Sequence, residues 1–205
     1  MKTFNIFQKK IRPIILLFML SPLVTVAQTT YQLSRTASNL VKVTGTSNVH
    51  DWSITSKQFE STGTFNFNAR GEMTDVTALK FTLAAKSLKS GKSAMDGRTY
   101  KTLNATEFPK ISYQLTFATV TMVQAKRYSI QTTGILTIAG KTQSLSMKVM
   151  ALVNADGSIS CHGSEKLMLT DYGIEPPSFM LGAMKVGNNL VVHFEFDYVK
   201  ASVAK

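Results

Sequence analysis

One cysteine, Cys161, stands alone in 205 residues. It cannot close an internal disulfide, and at this length the chain must rely on its own apolar core. Cys161 falls among apolar positions of its segment, which predicts a small buried hydrophobe. Acidic residues are also scarce: 12 Asp and Glu against 23 Lys and Arg give a formal net charge of +11. A basic chain can suit nucleic acid or an anionic membrane surface. Here the cations are scattered, with Lys80, Lys86, Lys89, Lys92, Arg98, Lys101 and Lys110 spread along the middle of the chain. No platform of aromatic rings and Arg stands out. The pattern predicts a solvated basic surface and no nucleic-acid partner.

Catalytic signatures are missing too. There is no Gly-x-Ser-x-Gly elbow, no phosphate loop and no paired-carboxylate motif. The three histidines, His50, His162 and His193, lack a recurring ligand spacing; the only acidic neighbours are Asp51 beside His50 and Glu195 near His193. His162 and His193 fall on polar phases, and His50-Asp51 reads as a turn ahead of Trp52. The expectation is no catalytic residue, no metal, no cofactor and no enzyme.

A long apolar run is absent as well. Ile14 to Val24 comes nearest, interrupted by Ser21 and Pro22, and falls short of the ~20 residues of a spanning helix. Lys2, Lys9, Lys10 and Arg12 precede it and Thr25-Val26-Ala27 follows, the layout of a cleaved export signal. Residues 1–27 are therefore predicted to be a signal peptide. Residues 28–205 would form one mature domain, periplasmic or secreted. Gln28 would come first, so no Cys is placed for a lipid anchor. Losing those four cations takes the formal charge from +11 to +7.

What the chain does have is alternation. In Tyr128 to Ile138 one face carries Tyr128, Ile130, Thr132, Gly134, Leu136 and Ile138. The other carries Ser129, Gln131, Thr133, Ile135 and Thr137. Side chains on a strand alternate between faces, so this is one mostly apolar face and one mostly polar face. After Ala139-Gly140-Lys141, alternation resumes at Leu145, Met147, Val149, Ala151 and Val153, which predicts a hairpin. The same pattern marks Val41 to Gly45, Trp52 to Ala69 with a bend, Val76 to Ser87, Ile111 to Phe117, Ile159 to Leu169 and Leu190 to Tyr198. Counting the bent segment once gives about eight main strands with mostly short connections. The prediction is an all-β fold: a single antiparallel eight-stranded barrel holding side chains or one small ligand. A two-sheet sandwich shares the pattern.

Two features break it. In the connection around residues 88–106, Met95, Tyr100 and Leu103 do not alternate. This predicts one short helix in a long loop, either a lid over a cavity or a plug for the core. Glu165 interrupts an apolar face. A satisfied polar group at a bulge is the simpler reading; the other is an inward carboxylate with a perturbed pKa, a site candidate.

Several stretches together resemble a known family. They are Thr46-Ser47-Asn48-Val49-His50-Asp51-Trp52, Phe108-Pro109-Lys110-Ile111, the Gly134-to-Thr142 hairpin and the Leu169-to-Val199 tail. In order and spacing they resemble the YceI-like family of exported polyisoprenoid-binding proteins with a lipocalin-like barrel. Thr170-Asp171-Tyr172-Gly173-Ile174 with Pro176-Pro177 resembles the branch found in Bacteroidetes-type bacteria. The resemblance spans nearly all of residues 28–205. It implies a polyisoprenoid or similar amphiphilic lipid partner held inside the barrel in the cell envelope, and it transfers no catalytic residue.

Candidate ligand-binding residues then come from the apolar phase and the helix. They are Phe65, Phe67, Phe81 and Leu83; Met95, Tyr100 and Leu103; Tyr113, Leu115 and Phe117; Tyr128, Ile130, Leu136 and Met147; and Phe194 and Phe196. Gly45, Gly63, Gly134 and Gly163 recur on the inward phase, where small residues are expected to leave room. The alternative is a filled-barrel structural or stress-related envelope protein without a ligand.

Overall fold

Strands form where apolar and polar residues alternate. The computed structural model describes residues 28–35 and 38–201; the expected export signal in residues 1–27 lies outside the described residues. In chain order the elements are β1 (Gln28–Leu33), β2 (Leu40–Ser47), β3 (Trp52–Ser56), β4 (Phe59–Phe67), β5 (Met73–Ala84), helix α1 (Ser93–Thr102) and β6 (Lys110–Gln124). Then follow β7 (Arg127–Ile138), β8 (Lys141–Val153), β9 (Ile159–Met168), a two-residue β10 (Ser178–Phe179) and the long β11 (Met184–Lys200). Single 3-10 turns occupy Ala85–Ser87 and Leu169–Tyr172.

The sheet closes on itself. β4 through β9 pair consecutively and antiparallel, and β9 pairs with β11. β1 completes the ring by pairing with β4 on one edge and with the end of β11 on the other. Eight strands thus form a barrel, with no free edge between β4 and β11 as a sandwich would have. The first half of β11 pairs instead with β2, which carries β3 beside it. The expected bent segment is two strands, β3 and β4, turned at Lys57-Gln58. Ser56 holds the bend: its hydroxyl accepts the Gln58 N–H at 3.1 Å and meets the Ser87 hydroxyl at 2.8 Å.

The strand phase can be checked on β7. Leu136 is only 8% exposed, whereas Thr137 lies toward solvent with its hydroxyl 3.2 Å from that of Thr142. Leu136→Asp should cost several kcal/mol or force the new carboxylate to stay protonated. Thr137→Asp should stay within about 0.5 kcal/mol. Urea midpoints measure both, and equal losses would contradict the phase.

Two expectations fail for local reasons. Phe117 was placed on the inward face of β6, but it is 65% exposed. The β6–β7 register slips between Leu115 and Phe117, opposite Gly134 and Thr133. The extra residue reverses the phase. Ala118 and Val120 turn inward and pack against the core instead. The inward glycines do not leave empty space either. A Cβ on Gly45 would run into Trp52, on Gly63 into Phe65 at 2.9 Å, on Gly134 into Tyr113, and on Gly163 into Phe194 at 2.5 Å. Each glycine lets an aromatic ring lie against the wall. The rings are recessed, and the middle of the barrel stays open.

One end is plugged. Tyr31, Phe65, Tyr128, Tyr198 and Ile159 are the most deeply buried large side chains. Phe65 meets Tyr31 edge-on at 5.3 Å and Tyr198 at 5.5 Å. The buried hydroxyls are used: that of Tyr128 accepts the Met73 N–H at 3.1 Å, and that of Tyr198 meets Ser61 at 2.7 Å.

Candidate functional site

Above this plug lies a cavity of about 480 Å³. That is within the ~300–1,000 Å³ range of ligand pockets. Its depth is lined by residues such as Phe65, Val76, Ile130 and Tyr198, and its mouth by Ser47, His50, Lys92, Arg98, Phe179 and Met184. The wall between is predominantly apolar because the inward positions of most strands feed it.

Twelve of the sixteen candidate residues line this cavity. They are Phe65, Phe81, Leu83, Met95, Leu103, Tyr113, Leu115, Ile130, Leu136, Met147, Phe194 and Phe196. Phe81, Phe194 and Phe196 form a stacked series, with Phe196 5.5 Å from Phe81 and 5.3 Å from Phe194. Four candidates sit elsewhere. Tyr128 belongs to the plug, and Phe67 packs against Tyr31 at 6.2 Å. Tyr100 turns away from the lumen to donate its hydroxyl to Leu88 O at 2.9 Å. Phe117 is outside, as described.

Other wall residues were on legible phases but not chosen: Val41, Val43 and Ile54 from the β2–β3 hairpin, Val149, Leu167 and Val192. Phe179 and Met184 had no signal, since β10 is too short to alternate.

The predicted helix is α1, and it lies across the mouth. Met95 and Leu103 face the cavity. Asp96 anchors the helix start by accepting from the Ser90 N–H and hydroxyl, both at 2.7 Å. These bonds hold its carboxyl below the usual carboxylate range. Lys89 sits 5.1 Å over the Tyr100 ring, and Arg98 sits 4.7 Å over the ring of Phe179 on β10. The Arg98–Phe179 contact joins helix and hairpin across the opening.

Glu165 faces the lumen, and there is no bulge. β9 runs in unbroken register along β11, with Glu165 opposite Val192. One carboxylate oxygen accepts the adjacent Lys166 N–H at 3.1 Å. β8 and β9 pair only from Val149–Val153 to Ile159–Gly163, so Glu165 lies where the two strands have parted. Deeper in, the Tyr113 hydroxyl is buried without a hydrogen-bond partner of normal geometry. Burial pushes this phenol up, partly offset by Thr132. Of the histidines only His50 lines the cavity, at its mouth. His162 and His193 lie exposed on outward strand positions, and the His50 backbone closes a turn with Ser47. Among the described residues no group of three or more His, Cys, Asp or Glu could hold a metal ion.

Buried acids give the barrel an alkaline limit. Burial pushes the Cys161 thiol up to about 12, and burial with the nearby Asp171 charge pushes Tyr172 up to about 12. Tyr198 is raised further, chiefly by burial. Each group stays protonated in the fold after it has ionised in the unfolded chain. The folded state then binds more protons, so stability falls with rising pH. The decline should begin near the free thiol value of ~8.5 and steepen above ~10 as the tyrosines contribute. Cys161→Ala should remove the first phase from a plot of urea midpoint against pH. A flat plot to pH 11 would contradict the burial of these groups.

Comparison with known proteins agrees with this architecture. The sequence profile of the YceI-like domain matches residues 27–198. No curated protein matches the chain. Among solved structures, BcnA of Burkholderia cenocepacia is similar at 14% identity and a TM-score of 0.60, covering 78% of this chain and 94% of that one. A polyisoprenoid binding domain from Saccharophagus degradans is similar at 9% identity and a TM-score of 0.62, covering 84% and 99%. The YceI protein of Campylobacter jejuni is similar at 14% identity and a TM-score of 0.53, covering 72% and 83%. At these identities the structures speak to the fold, and the profile, which spans most of the chain, speaks to descent. The chain belongs to the YceI-like family.

Proposed function

We propose that this protein is a binding protein, not an enzyme, and that it holds the hydrocarbon chain of an isoprenoid or similar amphiphilic lipid in its barrel. The observation that carries the reading is a deep, predominantly apolar cavity, plugged at one end. A filled structural barrel would lack that volume. The driving force is burial: about 0.8 kcal/mol for each enclosed CH₂. Some ten buried carbons would give ~8 kcal/mol before the association cost of ~4 kcal/mol or more. Glu165 and the mouth residues would meet the polar end. The basic, interrupted apolar and small-residue layout of residues 1–27 supports export, so the lipid would be held in the cell envelope.

The only tryptophan reports on the site. Trp52 lines the cavity and is fixed by its indole N–H, which donates to Thr46 O at 3.1 Å. Its fluorescence should respond when delipidated protein is titrated with polyprenols of increasing length. Affinity should climb steeply, by up to about fourfold per buried methylene, and then level off when the lumen is full. Affinity independent of chain length would overturn the reading.

A further inference from the structure

The mouth carries apolar side chains that the cavity does not use. β10 and β11 form a hairpin over residues 178–185, pairing Ser178 with Lys185 and Phe179 with Met184. At its tip Met180 is 68% exposed and Leu181 is fully exposed. Both have positive φ, 55° and 54°. Left-handed backbone at two successive turn positions favours Asn and Gly, and it strains bulky residues. Exposure and backbone preference therefore both disfavour Met-Leu here, and no packing in the barrel compensates.

The tip is not isolated. Asn48 bonds the neighbouring turn to it, donating to Ala183 O at 2.9 Å and accepting the Lys185 N–H at 2.8 Å. That turn presents Val49, 61% exposed. Met168, also exposed, lies on the cavity rim. The base of the hairpin, Phe179 and Met184, lines the cavity itself. Apolar side chains thus lead from the lumen, at Phe179 and Met184, to the exposed hairpin tip at Met180 and Leu181. Lys92, Arg98 and Lys185 stand exposed on the elements that form the rim, where Glu165 is the acid that lines the cavity.

We propose that this rim is a membrane-docking surface, with the 180–181 tip entering the interfacial layer of a lipid bilayer. This rests on the reading above, because it is the continuity with a lipid-holding lumen that selects a bilayer as partner. A lipid could then pass between bilayer and barrel without crossing water. The cations would favour bilayers containing anionic lipid.

The test uses vesicles of phosphatidylcholine with and without phosphatidylglycerol, and the double variant Met180→Asn/Leu181→Gly. This variant suits the turn, so its melting temperature should equal or exceed that of the parent. Its vesicle binding in co-sedimentation should fall at least tenfold. The control Met122→Ser/Val123→Ser removes exposed apolar residues from the β6–β7 hairpin and should leave vesicle binding unchanged. Absence of binding by the parent, undiminished binding by the tip variant, or loss in the control instead would each overturn the docking surface. Polyprenol titration of Trp52 in the same proteins separates the two readings. Uptake without vesicle binding overturns docking and leaves the lipid-holding barrel standing. Tip-dependent vesicle binding without uptake supports docking and removes the lipid-holding reading.

Discussion

Phe65→Ala is expected to lower stability by about 3–5 kcal/mol, the usual cost of emptying a fully buried aromatic position. Phe65 is 1% exposed and makes ring contacts with both Tyr31 and Tyr198. It also lies against Gly63, which has no side chain to fill the hole. For a domain of this size the loss corresponds to roughly 6–20 °C in melting temperature. Phe67→Ala, two residues along the same strand, should cost markedly less. Phe67 is half-buried, and its one ring contact is a tilted pair with Tyr31 at 6.2 Å. Comparable losses at the two positions would mean that the plug is not where the barrel is most tightly packed.

Val149→Trp should have the largest effect on ligand. Val149 points into the lumen from β8, in register with Ile130 on β7 and Gly163 on β9. An indole there would project into the middle of a 480 Å³ cavity. Bound lipid should fall at least tenfold, because several methylenes worth ~0.8 kcal/mol each lose their place. Adding bulk to a packed core costs ~1–3 kcal/mol, and an open lumen should absorb most of that. Met150→Trp, one residue along and on the outer face, should leave lipid content unchanged. Quantifying extracted lipid alongside thermal melts distinguishes the outcomes. Loss of lipid only with collapse of the fold, or no loss at all, would contradict an open lumen at this level.

The sequence carried the strands and their phase because both are local properties. In β7 and β8 the inward set from Tyr128 to Val153 is the alternating apolar set, residue for residue. Ring closure was less legible. It depends on β1 reaching both β4 and β11, a pairing between the two ends of the domain that no short-range pattern encodes. Phe117 was misplaced because its bulge carries no Gly or Pro to announce it. For Glu165 the sequence favours a bulge over an inward carboxylate, because a carboxylate on an apolar face is costly. The parting of β8 from β9 places it where it is half-exposed, which a single strand cannot reveal. The inward glycines were correctly placed but wrongly interpreted, since the rings that cover them come from neighbouring strands or from two residues along their own. The β10 hairpin had no signal: two paired residues are too few to show a period.

The central claim is that the barrel of the working protein encloses a lipid chain. Native mass spectrometry of the protein purified from its own cells tests it most directly. The account predicts a polypeptide beginning at Gln28 that carries one tightly held, solvent-extractable lipid with a long hydrocarbon chain, released as the protein unfolds. A bare polypeptide, recovered without lipid under conditions that preserve the fold, would contradict it.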